Sequence, residues 1–80
     1  MMSTAVIRVH VGGSDPGAAE DLSYAILSAC LQSARSQAVD NLMAIGNDSI
    51  EPLEQSPWGH QRDARIDVEH TYSRDSYEVT

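Results

Sequence analysis

Residues 11–22, VGGSDPGAAEDL, decide the fold of this chain. A valine strand end runs through two glycines into Ser-Asp-Pro-Gly and then into an alanine-rich helical pattern. Strand, glycine-rich loop and helix is also the order in which proteins cradle phosphates, so the stretch raises a functional question. A phosphate cradle needs free backbone N–H groups and an uncluttered, positive helix end. Here Pro16 removes one donor at the first helical position, and Asp15, Glu20 and Asp21 place carboxylates where an anion would sit. No Walker lysine follows, and the glycine spacing does not fit the dinucleotide fingerprint. Capping chemistry accounts for every residue instead. Gly12 and Gly13 let the chain leave the strand, Ser14 or Asp15 caps the helix, Pro16 is preset for the first turn, and the acids complement the helix dipole. The stretch starts a helix and is not a nucleotide site.

Upstream, residues 4–11, TAVIRVHV, alternate with the strand period: Ala5, Ile7, Val9 and Val11 share the core-facing side, and Val6, Arg8 and His10 the other. Downstream, neither glycine nor proline interrupts residues 18–45. Leu27, Leu31, Ala34, Ala38, Leu42 and Ile45 recur at helical spacings, with Leu22, Ile26, Ala29 and Cys30 as an adjoining stripe. Gly46 then stands where a C-terminal cap glycine belongs, so a helix is expected over about residues 16–45. Such a helix would be about 45 Å long at ~1.5 Å per residue, against about 27 Å for an eight-residue strand. One continuous helix would overhang its sheet; a bend or break near residues 32–37 is the alternative.

Residues 46–63 carry Pro52, Pro57 and Gly59 without a sustained period and are expected to form a loop, a long one for a compact domain. In residues 64–72, ARIDVEHTY, the residues Ile66, Val68, His70 and Tyr72 share one face and Asp67, Glu69 and Thr71 the other. After SRDS the phase flips to Tyr77 and Val79. A turn centred on Arg74 and Asp75 explains this, setting Tyr72 beside Tyr77, His70 beside Val79 and Thr71 beside Glu78. The expected fold is α+β. It is a single β-α-β-β domain over residues 1–80, with a three-stranded, mainly antiparallel sheet, one long helix on one face and a C-terminal hairpin over about 64–80.

Length and composition narrow the function. A chain of 80 residues buries only about 60% of its unfolded surface. Cys30 is the only cysteine, so no intramolecular disulfide forms. A second subunit or a bound partner is the expected source of further stability. No apolar run approaches the ~20 residues of a membrane span, and MMSTAVIRVH lacks a basic region followed by an apolar stretch, so a soluble, cytoplasmic protein is expected. The net charge is −7, from twelve acids against five bases, all of them arginine. Direct DNA or RNA binding calls for the opposite sign, whereas an acidic surface is steered toward basic proteins. The charge is uneven: four acids against two arginines in residues 1–45, and eight against three in residues 46–80.

Cys30, on the helical stripe, reads as a small core hydrophobe, and His70 as a partly buried histidine with a polar partner. His10 and His60 lack ligand spacing, so neither metal nor cofactor is expected. No residue pattern places a nucleophile on a strained turn, and the chain is too small to enclose a typical pocket, so no enzymatic activity is expected. Two features point to a partner. Asp67, Glu69 and Glu78 fall on the outward face of the hairpin, with Asp63 and Asp75 near its ends. Carboxylates two apart on a strand stand about 7 Å from one another and make a ribbon of negative charge; the competing role is a solvated face that keeps edges from pairing. The second feature is Trp58 in SPWGH, expected to fold back onto the core and, if exposed, a natural interface anchor.

A small, acidic, lysine-free domain of this kind resembles the accessory proteins of phages and mobile elements, and among these the small anti-CRISPR proteins. GSDPGAA, Gly13 to Ala19, is similar to the strand-to-helix junction of an inhibitor of a type I system. The resemblance implies an acidic, DNA-mimicking inhibitor that occupies the basic DNA path of a type I surveillance (Cascade) complex. It carries over no binding residues, because the class shares neither fold nor motif. The alternatives are a phage-like particle protein that forms homo-oligomers through its helix, or an antitoxin-like regulator.

Overall fold

The computed structural model describes residues 2–70 as a strand β1 (Met2–Gly12), a helix α1 (Pro16–Asp40) and strands β2 (Met43–Ile50), β3 (Glu54–Ser56) and β4 (Gly59–His70). The fold is α+β, as expected, with four strands in place of three. β4 is central, and every pairing is antiparallel. β1 lies along one side of it from Met2↔Glu69 to Gly12↔Gly59 without a register shift. β2 and β3 follow one another along the other side, from Met43↔His70 to Ile50↔Ala64 and from Glu54↔Gln61 to Ser56↔Gly59.

The helix begins as its residues dictate. Pro16 is the first helical residue, and the Asp15 carboxylate accepts from the Gly17 and Ala18 N–H groups at 3.0 and 3.3 Å. Asp15 therefore caps, not Ser14. Glu20 and Asp21 lie beyond the first turn, which contains no acid, so the expected dipole role belongs to Asp15 alone.

The helix ends at Asp40, five residues short of the expected Ile45. Asn41 closes it: its backbone N–H reaches the Gln37 and Ala38 carbonyls, and its side-chain amide donates to Gln37 O at 2.8 Å. Leu42 then takes a positive φ of 60° and turns the chain back. Gly46 is thus not a helix cap; it sits where the β2 register slips, between Ile45 and Asp48. Leu42 and Ile45 continue the helical spacing by coincidence, since a short apolar run such as residues 42–45 satisfies either period. The helix is continuous, and the overhang disappears because the strands are longer than eight residues. At ~1.5 Å per residue the 25-residue helix measures about 38 Å. The 11 and 12 residues of β1 and β4 span about 36–40 Å.

The expected loop over 46–63 is instead most of a second ribbon. Along β4 the even residues His60, Arg62, Ala64 and Ile66 are buried beneath α1, with Val68 partly so, while the odd residues turn away. Inward polar residues at 60 and 62 hide this alternation from a hydrophobicity reading. Pro57 and Trp58 form the two-residue turn between β3 and β4. Trp58 does not fold back onto the core: it sits at the tip of this turn, 83% exposed. Residues 64–70 of the expected hairpin form the end of β4. Its turn and second strand, with Tyr72, Asp75, Tyr77 and Glu78, and the expected surroundings of the His70 side chain, lie outside the described residues.

The core is Leu27, Leu31, Ala64 and Ile66, with Ile7, Val9, Ala34, Ile45, Ile50 and Val68 packed around it. Of the expected stripe, Leu27, Leu31 and Ala38 are buried and Ala34 partly so; Ile45 reaches the core from β2, and Leu42 is exposed.

One glycine closes this arrangement. Gly59 has φ 145°, and a Cβ there would collide with the Val11 carbonyl and approach Gly12 Cα to 3.0 Å. Gly13, at φ 100°, has open space around it. Gly59→Ala is expected to cost more than about 3 kcal/mol and Gly13→Ala about 1–2 kcal/mol, measured by chemical denaturation.

Candidate interaction face

α1 covers one face of the sheet, and among the described residues no element covers the other. Strand alternation sets the side chains of this open face. Met2, Thr4, Val6, Arg8 and His10 of β1 stand opposite Glu69, Asp67, Arg65, Asp63 and Gln61 of β4. On the far side of β4, Ala44 pairs with Glu69, Ser49 with Arg65 and Glu54 with Gln61. The sequence-predicted Asp63, Asp67 and Glu69 do share this face. Trp58 lies apart from them at the β3–β4 tip, and Asp75 and Glu78 are outside the described residues.

The carboxylates are not equivalent. Asp63 is held by Arg8, whose Nε and Nη2 donate to its two oxygens at 2.7 and 3.0 Å. This fork is the bidentate geometry that favours arginine over lysine. Hydrogen bonding from Arg8, reinforced by the charges of Arg8 and Arg65, holds the Asp63 carboxyl below the usual carboxylate range. Asp67 accepts only from the neutral Thr4 hydroxyl, at 2.8 Å, and the residues opposite Glu69 are Met2 and Ala44. Two regions result. Near the junction of β2 and β3, Glu51, Glu54 and Asp63 line a hollow of about 180 Å³ together with Arg62 and Arg65. At the other end, Asp67 and Glu69 pair with no arginine among the described residues.

Behind the sheet lies a polar clamp that the sequence pattern did not disclose. Arg62 is buried, and its Nη1 donates to Glu20 Oε2 at 2.6 Å and to Ser23 Oγ at 3.4 Å. Its Nε donates to the Glu51 carbonyl at 2.7 Å, and the guanidinium carbon lies 5.7 Å from the Tyr24 ring centroid. On the same side, a groove of about 530 Å³ opens between α1 and β2, lined by Tyr24, Gln32, Arg35, Asp48 and Ile50 among others. Arg35 and Asp48 bridge it at 2.6 Å. Cys30 is partly buried on the helix. Among the described residues no three His, Cys, Asp or Glu side chains group as a metal would require, and no helix is long and apolar enough to cross a membrane.

The chain matches no protein-family model, no curated protein and no solved structure.

Two measurements check this electrostatic account. Arg62→Met leaves the Glu51 carbonyl without its side-chain donor and is expected to cost about 1–3 kcal/mol. Glu20→Gln, at a side chain 52% exposed, should cost less than about 1 kcal/mol; both are read by urea denaturation. The second concerns pH. A carboxyl depressed in the folded state stabilises above its unfolded pKa of about 3.9. That contribution disappears as pH falls through the folded value. The stability difference between wild type and Arg8→Met should thus be present at neutral pH and shrink on acidification below about pH 4.

Proposed function

We propose that this chain is a non-catalytic acidic inhibitor that docks the open face of its sheet onto a basic, nucleic-acid-handling protein. The observation that carries this reading is the Asp67–Glu69 end of the face. There, carboxylates two apart on a strand, about 7 Å from one another, pair with no arginine among the described residues. On a chain of net charge −7, such a surface draws a positively charged groove and repels nucleic acid itself. The two carboxylates take the place of successive phosphates, and the Arg8–Asp63 pair sets the boundary of the docking region. The GSDPGAA resemblance points to a type I CRISPR surveillance complex as the target, with its DNA path as the surface occupied. Trp58, exposed at the β3–β4 tip, adds an aromatic anchor at the far end of the domain.

A second reading, a particle protein that assembles through its helix, draws support from Leu22, Ile26 and Val39, all exposed on α1.

The test is binding of Asp67→Arg/Glu69→Arg to a purified type I surveillance complex, by interferometry at several salt concentrations. The double reversal is expected to weaken binding at least about tenfold, chiefly through slower association, and to flatten the salt dependence. Folding stability should move by no more than about 1 kcal/mol, since Thr4 loses one exposed hydrogen bond. Unchanged affinity and salt dependence would remove the phosphate-mimic reading, and absence of wild-type binding would remove the target.

A further inference from the structure

The two edges of the sheet are built differently. β2 is protected: its register slips between Ile45 and Asp48, Asp48 sits on it, and Pro52 follows it. Bulges, charges and prolines are the devices that keep an edge from pairing with another chain. β1 has none of them. Its 11 residues pair with β4 without irregularity and contain no proline, lysine or acid. Its single arginine is folded onto Asp63. No strand among the described residues pairs with its outer edge.

The helix flank above β1 continues this surface. Arg35 reaches Asp48 and so marks the flank of α1 that faces β2. Ile26 lies nine residues before Arg35, about 180° around the helix, and Cys30 lies close to Ile26 on the same side. Ile26 is 37% exposed, Leu22 beyond it 51%, and Ile7, Val9 and Cys30 are only partly buried. None of these residues is charged. In a chain of net charge −7, β1 itself contains no acid, so its edge meets a second copy strand to strand without opposing carboxylates. The domain also has reason to use it, because its fully buried core holds only three apolar side chains larger than alanine among the described residues: Leu27, Leu31 and Ile66.

We propose that the chain is a homodimer in which β1 pairs antiparallel with β1 of a second copy, with Ile7 on the two-fold axis. The register follows from two independent requirements. Full-length pairing of Met2–Gly12 with itself centres on Ile7. Inward residues must also face inward residues, which sets Ala5 opposite Val9 and Arg8 opposite Val6 of the second copy. Centring on Arg8 would oppose two guanidinium groups. The axis, perpendicular to the sheet, puts both helices on one face, where the Ile26 and Cys30 flanks meet. The other face carries both sets of Asp67 and Glu69 carboxylates, which no element covers among the described residues, so this inference stands independently of the docking proposal. An edge about 36 Å long, backed by one sheet layer and one helix layer roughly 15–20 Å deep, offers about 600 Å² per copy. Together the two copies exceed the roughly 1,000 Å² that a specific interface needs.

Sedimentation of the full chain at about 100 μM, far above the dissociation constant of a stable dimer, is expected to give twice the chain mass. Leu22→Glu/Ile26→Glu, at positions exposed in the single copy, should weaken the dimer about 100-fold with an unchanged circular dichroism spectrum. Cys30→Ser/Ile7→Cys should form an intermolecular disulfide on mild oxidation, since residues on the axis stand about 4.5–5.5 Å apart. Cys30→Ser/Thr4→Cys should not, its copies being about 20 Å apart. A monomer at this concentration overturns the proposal. So does a dimer indifferent to the glutamate pair, or one in which Thr4→Cys crosslinks and a folded Ile7→Cys does not.

Discussion

The Arg62 guanidinium holds the two layers of this domain in place. It joins the first half of α1, through Glu20 and Ser23, to the connection between β2 and β3, through the Glu51 carbonyl. Glu51 is fixed on its other side as well, its N–H donating to the Asp63 carbonyl at 2.8 Å. One side chain on the central strand thus determines where the helix rests and where the second ribbon breaks from β2 into β3. The domain is held by different physics at its two ends. Around Leu27, Leu31, Ala64 and Ile66 the cohesion is hydrophobic. Around residues 20–24 and 60–62 it is ionic and hydrogen-bonded. His60 shows the cost of that choice, since its buried Nδ1 has no hydrogen-bond partner among the described residues.

The same strand sorts the charges. Its even positions carry Arg62 into the interior, and its odd positions present Asp63, Arg65, Asp67 and Glu69 to the open face. Arg8 on the neighbouring strand neutralises Asp63, but two steps further along the open face the residue opposite Asp67 is the neutral Thr4. The uneven acidity of the C-terminal part of the sequence thereby becomes a gradient along one strand, ending at Asp67 and Glu69, which pair with no arginine among the described residues.

Much of the first half was legible because its residues obey a single period. β1 alternates cleanly, and Ser14–Asp15–Pro16 reads as a capped helix start, of whose two cap candidates Asp15 makes the bonds. The second half was harder to read for definite reasons. Leu42 and Ile45 match the helical spacing although the chain has already turned at Asn41, and nothing at Leu42 advertises a positive φ. From Gly59 onward the strand keeps its period, but His60 and Arg62 occupy inward positions, so apolar alternation begins only at Ala64. The outward placement of Asp63, Asp67 and Glu69 could be read because it needed only the parity of one strand. The clamp could not, since Glu20 and Arg62 are 42 residues apart and meet only through the layer packing.

The tip of the β3–β4 turn has a practical consequence. Trp58 is the only tryptophan of the chain, and it is solvated in the folded state. Its emission will therefore change little on unfolding, and a flat fluorescence trace in denaturant would not mean an intact protein. Conversely, a blue shift on mixing with a macromolecule that lacks tryptophan reports burial of this turn itself, because no other indole contributes. The molecule thus carries a built-in optical probe of its outermost point, insensitive to the state of its core.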